Sequence, residues 1–165
     1  WDEDFLKWTC SQLGTFSAPF AATVFTLTSH QPYNIPENLK QKFSAGTHPV
    51  IQAIKYTDFA LEQFFECEKN QKWFADSAFL FVADHTGPSL KTDPTFKSLY
   101  EVPILFYAPD TNLNLSTDQY AQHIDVLPTL NDLFDLGLKN ENHLSRSLYK
   151  VGQKTIALYS DHNFE

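Results

Sequence analysis

The pattern of hydrophobic and polar positions predicts alternating helices and strands along this chain. Residues 1–13 are typical of a helix, because acidic residues crowd the first turn and Gly14 follows the last one. A longer helical pattern covers residues 50–69, behind a proline that suits a first helical turn. Asp58 interrupts its apolar stripe. The positions predicted to face the core are Ile51, Ile54, Leu61, Phe64 and Phe65.

Apolar runs between these helices predict strands. Residues 22–28 are β-branched and aromatic, and they lead into a loop that contains two prolines. Residues 78–83 form an unbroken apolar run bounded by turn residues, which predicts a strand buried on both faces. Residues 102–107 form a shorter run whose proline indicates a strand start or a sheet edge. A last strand is predicted over residues 155–159, with residues 147–151 as its candidate hairpin partner.

The order of these elements predicts the fold class. Residues 125–136 add a third helix, with Pro128 in its first turn and Gly137 at its end. The series helix, strand, helix, strand, strand, helix, strand is typical of an α/β layered domain. The sequence contains no repeat, low-complexity tract or clear linker. We therefore expect residues 1–165 to belong to one domain without an internal boundary.

Composition narrows the classes of protein that fit. The 165 residues are 42% hydrophobic and 15% aromatic, which favours a globular fold. The net charge of −8 comes without a basic block, so a nucleic acid is not an expected partner. No apolar run approaches the roughly 18 residues of a membrane span. The chain has no methionine and begins at Trp1, from which we expect a piece of a longer polypeptide.

The two cysteines leave two interpretations open. Cys10 and Cys67 do not form the closely spaced pairs that are typical of zinc-binding motifs. One disulfide bond and two free thiols are both compatible with this sequence.

Polar side chains with metal-binding chemistry follow the run at residues 78–83. Asp84 and His85 fall where that strand ends, and ligands gather outside the carboxyl ends of strands in open α/β sheets. Carboxylate oxygen and imidazole nitrogen are common ligands of zinc and manganese. The residues thus predict half of a metal site; the alternative is a polar strand end at which Asp84 caps the next turn. His30 follows residues 22–28 and is expected at the same sheet edge if the two strands are parallel; the alternative is a turn histidine stacked on its neighbours.

Other ionisable residues are expected to be bystanders. Asp125 precedes an apolar helical pattern and is expected to cap it rather than to act as an acid. His123 lies beside Gln122 before the same pattern, and Lys91 lies in a polar loop, so neither is assigned to the site. A second Asp-His pair, Asp161 and His162, has no comparable apolar run before it and is expected to be exposed.

Five segments in order match motifs of one enzyme group. They are the strand and turn Phe25 to Pro36, the helical Tyr56-Thr57-Asp58, the metal-type motif Val82 to Gly87, the strand Val102 to Pro109 and the helix start Gln122 to Leu130. Together they resemble the sulfatase-like lipoteichoic acid synthase and phosphoethanolamine transferase group of the alkaline phosphatase superfamily. The resemblance covers nearly the whole chain; each motif alone is weak, but five in register are specific.

This resemblance implies a fold and a mechanism. The fold would be an alkaline-phosphatase-like α/β/α sandwich with a mostly parallel sheet, present here as its C-terminal portion. In that group a metal-activated threonine attacks phosphorus, and a phosphoglycerol or phosphoethanolamine headgroup passes through a phospho-threonine intermediate to an acceptor. By position, Asp84 and His85 would be metal ligands and His30 would bind the phosphoryl group. The implied cofactor is one divalent metal ion, manganese or zinc, with magnesium or calcium as alternatives.

The departures from the group define what is missing. The nucleophile and an acidic metal ligand belong to the N-terminal half of such domains, and Thr26, Thr28 and Thr86 do not match the nucleophile's motif. We therefore expect the chain alone to be inactive and the parent to lie on the outer side of a bacterial cytoplasmic membrane. The expected partners are a phospholipid headgroup or a sulfate or phosphate ester, and the missing half of the domain. The alternatives are a sulfatase or phosphodiesterase, and a non-catalytic binding domain on the same scaffold.

Overall fold

A computed structural model describes residues 1–44, 46, 48–88, 90, 100–111, 113, 120–139, 144–149, 159–160 and 163–164. The helices in this part of the chain are α1 (Asp2–Leu13), α2 (Pro49–Glu68) and α3 (Val126–Phe134), with 3-10 turns at Glu37–Leu39 and His123–Asp125. The strands are β1 (Phe79–Val82), β2 (Ile104–Tyr107), β3 (Tyr159–Ser160) and β4 (Asn163–Phe164). The three predicted helices and the strands predicted at residues 78–83 and 102–107 are confirmed.

The chain divides into two compact units. The first comprises Trp1–Phe79, Ala83–Val102 and Ala108–Thr111, and it contains α1 and α2. The second comprises Leu80–Val82, Pro103–Tyr107 and Asn112–Glu165. β1 and β2 are neighbours in one two-stranded sheet, and β3 and β4 pair antiparallel in another. None of the described helices is both long and apolar enough to cross a membrane.

Two hydrophobic clusters hold the first unit together. The first cluster lies between α1 and α2 and is formed by Leu6, Cys10, Leu13, Ala60 and Phe64. The second joins α2 to the segment before it and is formed by Ile35, Phe43, Ala53 and Tyr56. A disulfide bond between Cys10 and Cys67 also links the two helices, with their Cα atoms 6.5 Å apart. This settles the question that the sequence left open.

The buried face of α2 differs from the predicted stripe. Ile54 is exposed, and Leu61 and Phe65 are only partly buried. The reason lies in the small side chains of Ala53 and Ala60, which let neighbouring segments approach the helix axis closely. The stripe that is covered consists of Val50, Ala53, Tyr56, Ala60, Phe64 and Glu68.

The strand predicted at residues 22–28 is not a strand in the structure. A strand needs a neighbouring strand to bind its backbone groups. Here the amides of Leu27 and Thr28 donate instead to the carboxylate of Asp2, and the side chains of Phe25 and Leu27 are exposed. The segment keeps an extended course, which carries it to the turn at His30.

β1 exists where it was predicted, but the prediction that both its faces are buried was wrong. Its first three side chains are half-buried and Val82 is exposed. Burial on both faces requires layers on both sides of a sheet. In the described part of the chain, the sheet that contains β1 has two strands, which leaves the end of β1 accessible.

A buried polar network starts α3 in the second unit. Asp125 is buried, and its carboxylate accepts hydrogen bonds from the amides of Gln122 and Arg146, each at 2.9 Å. The Thr129 hydroxyl donates to the Asp125 carbonyl at 2.6 Å and accepts from the Leu148 amide at 3.0 Å. Asp125 is the N-cap residue of α3 by position, as predicted, but its side chain makes no capping hydrogen bond to that helix. With Gln122 it forms instead the capping box of the 3-10 turn His123–Asp125.

Several predictions fall outside the described residues. The predicted strand at residues 155–159 is described only at Tyr159, which begins β3. Lys91, Asp161 and His162 also lie outside the described residues.

Candidate functional site

Asp84 and His85 lie at the end of β1, where the chain turns into a loop. Their side chains are 59% and 72% exposed, so both remain accessible to a ligand. The backbone amide of His85 donates to Oδ1 of Asp84 at 2.9 Å. Oδ2 of Asp84 lies 3.5 Å from Nε2 of His85. One carboxylate oxygen thus shapes the turn, and the other faces the imidazole.

A backbone carbonyl orients the imidazole of His85. Nδ1 lies 2.8 Å from the carbonyl oxygen of Thr86. Since a carbonyl only accepts, Nδ1 carries the hydrogen, and in the neutral ring the lone pair is then on Nε2. Metal-binding histidines are commonly oriented in this way by a bond at their other nitrogen.

The spacing of the two donor atoms suits a metal ion. Two ligands that each lie about 2.1 Å from a tetrahedral ion are about 3.4 Å apart. Oδ2 of Asp84 and Nε2 of His85 are 3.5 Å apart. The pair therefore fits two ligands of one divalent ion. Among the described residues, no group of three or more His, Cys, Asp or Glu side chains is placed to hold a metal.

His30 lies in a tight turn that follows the extended segment. Its amide donates to the carbonyl of Leu27, and its own carbonyl accepts from the amide of Tyr33, both at 2.9 Å. Nδ1 of the ring lies 2.8 Å from the carbonyl of Gln31. The Tyr33 ring packs edge-on against His48, with ring centres 5.6 Å apart. The exposed imidazole of His30 thus has its Nδ1 side anchored to the turn.

A cavity of about 580 Å³ opens beside His30. Its polar wall includes His30, Gln31 and Asn34. Its apolar wall is formed by Trp1, Phe5, Phe25 and Leu27. Asp84 and His85 do not line this cavity. The structure therefore brings the predicted metal ligands together but does not place His30 in one metal-binding group with them.

The sequence did not single out Asp2 among the acidic residues in the first turn of α1. Asp2 is 4% exposed and lines the cavity beside His30. Its carboxylate accepts from the amides of Leu27 and Thr28 and from the hydroxyl of Thr57. Three acidic residues stand together at the start of α1, and no local signal distinguishes the one that is buried.

A second missed residue is Glu68, the last residue of α2. Its side chain is fully buried, and neither carboxylate oxygen has a hydrogen-bond partner among the described residues. Burial raises the pKa of this carboxyl group from 4.5 to about 7. Glu68 is therefore a buried acid within the helical unit, and it does not line the cavity beside His30.

Comparisons with known proteins give a consistent result. A family model described as sulfatase matches residues 1–136. The chain is 30% identical over 148 residues to lipoteichoic acid synthase 1 of Bacillus subtilis (strain 168), covering 78% of this chain and 23% of that protein. It is 25% identical over 181 residues to lipoteichoic acid synthase of Staphylococcus aureus (strain USA300), covering 99% of this chain and 28% of that protein. The chain thus spans about a quarter of the length of these relatives.

A solved structure is also similar. It is the crystal structure of a protein in the alkaline phosphatase superfamily from Vibrio parahaemolyticus, which superposes with a TM-score of 0.78 at 27% sequence identity. The superposition covers 99% of this chain and 41% of that one. The similarity in structure therefore extends along nearly the whole chain.

Proposed function

Because the chain belongs to the sulfatase family and is of the lipoteichoic acid synthase type, we propose that it is the metal- and phosphate-binding part of a larger catalytic domain. The reaction that we propose is transfer of a phosphoglycerol or phosphoethanolamine headgroup through a phospho-threonine intermediate. The nucleophile and the remaining metal ligands would come from protein outside this chain. The parent would act at the outer side of a bacterial cytoplasmic membrane.

The observation that carries this proposal is the pair of donor atoms at the end of β1. Oδ2 of Asp84 and Nε2 of His85 are 3.5 Å apart and exposed, and Thr86 orients the imidazole. These two side chains would hold one divalent ion, manganese or zinc, with magnesium or calcium as alternatives. Such an ion lowers the pKa of a hydroxyl nucleophile and neutralises charge on phosphoryl oxygens.

His30 would bind the phosphoryl group of the substrate. The contact of Nδ1 with the Gln31 carbonyl uses one ring hydrogen. In the protonated ring Nε2 also carries a hydrogen, which can be donated to a non-bridging phosphoryl oxygen. The cavity beside His30 supplies room for the rest of a headgroup. Phosphate binding here therefore requires the charged form of His30.

A second candidate is hydrolysis of a sulfate or phosphate ester on the same scaffold. The match of residues 1–136 to the sulfatase family model favours it. Sulfatases and transferases of this type differ in their nucleophile, which this chain does not identify. A binding domain without catalytic activity is the alternative from another class of protein.

The first test is metal content. Three forms of the full-length protein are compared: the parent, Asp84→Ala and Asp76→Ala. Each is loaded with manganese or zinc and desalted, and its bound metal is then measured by mass spectrometry. Asp76 is an exposed aspartate three residues before β1 and serves as the matched control. We expect the parent and control to keep their metal, whereas Asp84→Ala keeps less than about a tenth of it, because even supporting residues around a ligand change affinity 10- to 100-fold.

Two outcomes would contradict the proposal. Equal metal content in the parent and Asp84→Ala would remove Asp84 from the metal site. Absence of metal from all three forms would favour the non-catalytic binding domain.

A further inference from the structure

We propose that Asp2 is a positioning residue for His30. Its carboxylate would hold the segment before His30 against α1 and α2, and thereby fix the imidazole at the edge of the cavity. This inference rests on the phosphate-binding role proposed for His30.

The first step is the set of contacts that Asp2 makes. Oδ1 accepts from the amide of Leu27 at 3.0 Å, and both oxygens lie 3.2 Å from the amide of Thr28. Oδ2 also accepts from the hydroxyl of Thr57 at 3.2 Å. The amide of Asp2 in turn faces the Thr28 hydroxyl at 3.4 Å. One side chain therefore joins α1, α2 and the extended segment.

The second step connects these contacts to His30. The amide of His30 donates to the carbonyl of Leu27 at 2.9 Å. The amide of the same Leu27 is bound by Asp2. Two hydrogen bonds through one residue thus link the Asp2 carboxylate to the backbone that carries the imidazole.

The third step concerns the charge of Asp2. A buried carboxylate is tolerated only when its oxygens are bound, and charge-assisted hydrogen bonds are the strong ones. At 4% exposure, Asp2 meets this condition through two amides and a hydroxyl, at the positive end of α1. These contacts hold the amides of Leu27 and Thr28, so they restrict the position of the turn at His30.

The experiment is a double-mutant cycle in the full-length protein. The affinity for glycerol phosphate is measured by calorimetry for the parent, Asp2→Ala, His30→Ala and the double variant. We expect each single substitution to weaken binding by about tenfold, the scale of one lost charge-assisted hydrogen bond. In the His30→Ala background, Asp2→Ala should change affinity by less than about twofold, because coupled residues are not additive.

Two milder variants are included in case Asp2→Ala does not fold. Asp2→Asn keeps one acceptor oxygen, and Thr57→Val removes one donor; both should weaken binding less than Asp2→Ala and also lose their effect in the His30→Ala background. Asp4→Ala is the matched control, because Asp4 lies in the same helical turn with a 76% exposed side chain. It should bind glycerol phosphate like the parent.

The possible failures are distinguishable. If Asp2→Ala weakens binding equally with and without His30, or has no effect, the positioning role is overturned and the proposed function stands. If His30→Ala leaves affinity unchanged, the phosphate-binding role is wrong. The positioning role is then decided by the nuclear magnetic resonance signal of His30 in protein with labelled histidine. A signal that shifts in Asp2→Ala but not in Asp4→Ala supports the positioning role. A signal that does not shift in Asp2→Ala overturns it.

Discussion

Glu68 shows how strongly burial changes one residue. It lies one helical turn beyond Phe64 on the covered face of α2, with both carboxylate oxygens unpartnered among the described residues. Burial without a partner opposes the charged form, which is why its pKa rises to about 7. In the unfolded chain the group has an ordinary pKa near 4.5. The folded chain therefore binds a proton that the unfolded chain releases between these two values.

This difference predicts a stability that falls as the pH rises. The contribution of Glu68 is fully present below pH 4.5 and is lost as the pH passes through about 7. The change amounts to about 3 kcal/mol in the free energy of unfolding. Glu68→Gln, which has no proton to lose, should be more stable than the parent at pH 8 and similar to it near pH 4.5.

Urea unfolding between pH 4.5 and pH 8 measures this effect. Glu62→Gln is the control, since Glu62 is exposed on the same helix. Its stability should follow the parent at every pH. If the free energy of unfolding depends on pH in the same way for the parent and Glu68→Gln, Glu68 does not titrate in this range.

At the residue scale, the sequence points to Asp84 and His85 as candidate metal ligands, but it does not point to Asp2, the residue proposed to position His30. Asp84 and His85 are adjacent and follow an apolar run, so a local pattern is enough to make them candidates. Asp2 could not be identified in this way, because its partners Thr28 and Thr57 are 26 and 55 residues away. Contacts between residues so far apart in the sequence depend on how helices and loops pack, so a local pattern does not predict them.

Helices α1 and α2 pack against each other in the first unit. The Cys10–Cys67 disulfide bond joins them across 57 residues of chain. A bond that closes a long loop restricts the unfolded chain and typically stabilises by about 2–4 kcal/mol. The fold of this unit therefore depends on a covalent link as well as on the core around Phe64 and Leu6.

Cys67→Ser tests that link. Cys67 is exposed whereas Cys10 is fully buried, so this substitution removes the bond with little disturbance of the core. We expect the variant to lose about 2–4 kcal/mol in urea unfolding without a reducing agent. Once a reductant has opened the bond, parent and variant should unfold together. Equal stability without reductant would mean that the bond does not form.

The start of α3 depends on Asp125. Its carboxylate binds the amides of Gln122 and Arg146, which lie on opposite sides of the helix start in sequence. Asp125→Ala leaves two amides without an acceptor, and each unsatisfied buried group costs about 1–3 kcal/mol. We expect faster hydrogen exchange in peptides that cover α3, measured by mass spectrometry, whereas peptides from α1 keep their protection.

Asp135→Asn is the control for this prediction. Asp135 ends α3 in the left-handed conformation, with φ of 48°, which asparagine also tolerates. Hydrogen exchange of α3 in Asp135→Asn should match that in the parent. Unchanged exchange in Asp125→Ala would show that the network does not stabilise α3.

At the element scale, helices were predicted better than strands. The pattern of apolar residues and the prolines at helix starts are local, and α1, α2 and α3 lie where that pattern indicated. The prediction of a strand at residues 22–28 was wrong because a strand depends on a neighbouring strand. Here the Asp2 carboxylate binds the amides of Leu27 and Thr28 instead. The prediction of the buried face of α2 was wrong because alanine and glutamate positions on this helix are buried. A stripe of strongly hydrophobic residues does not include such positions.

For the whole molecule, the fold class and the family were predictable. The α/β fold of the alkaline phosphatase superfamily, present in part, is confirmed by a TM-score of 0.78 over 99% of the chain. Five motifs in register carried that prediction, since order and spacing are properties of the entire sequence. These motifs do not specify the metal, the acceptor or the nucleophile of the proposed reaction.

The chain alone is expected to be inactive. Asp84 and His85 would supply two metal ligands, no described group is placed to supply a third, and the threonines near the site do not match the nucleophile's motif. Product release from a phosphoglycerol-bearing lipid should therefore be undetectable with the isolated 165 residues and measurable with the full-length protein. Turnover by the isolated chain that is lost in Asp84→Ala would contradict this expectation.

The extended segment before His30 has a practical consequence for handling the chain. Phe25 and Leu27 are 60% and 63% exposed on backbone that belongs to no sheet in the described part of the chain. An exposed apolar segment outside any sheet is a template on which another copy can add a strand, through the backbone groups that Asp2 does not bind, and such templates drive aggregation. Shelf life and concentration limits of preparations will therefore depend on whether this segment is shielded, despite the −8 net charge that keeps copies apart.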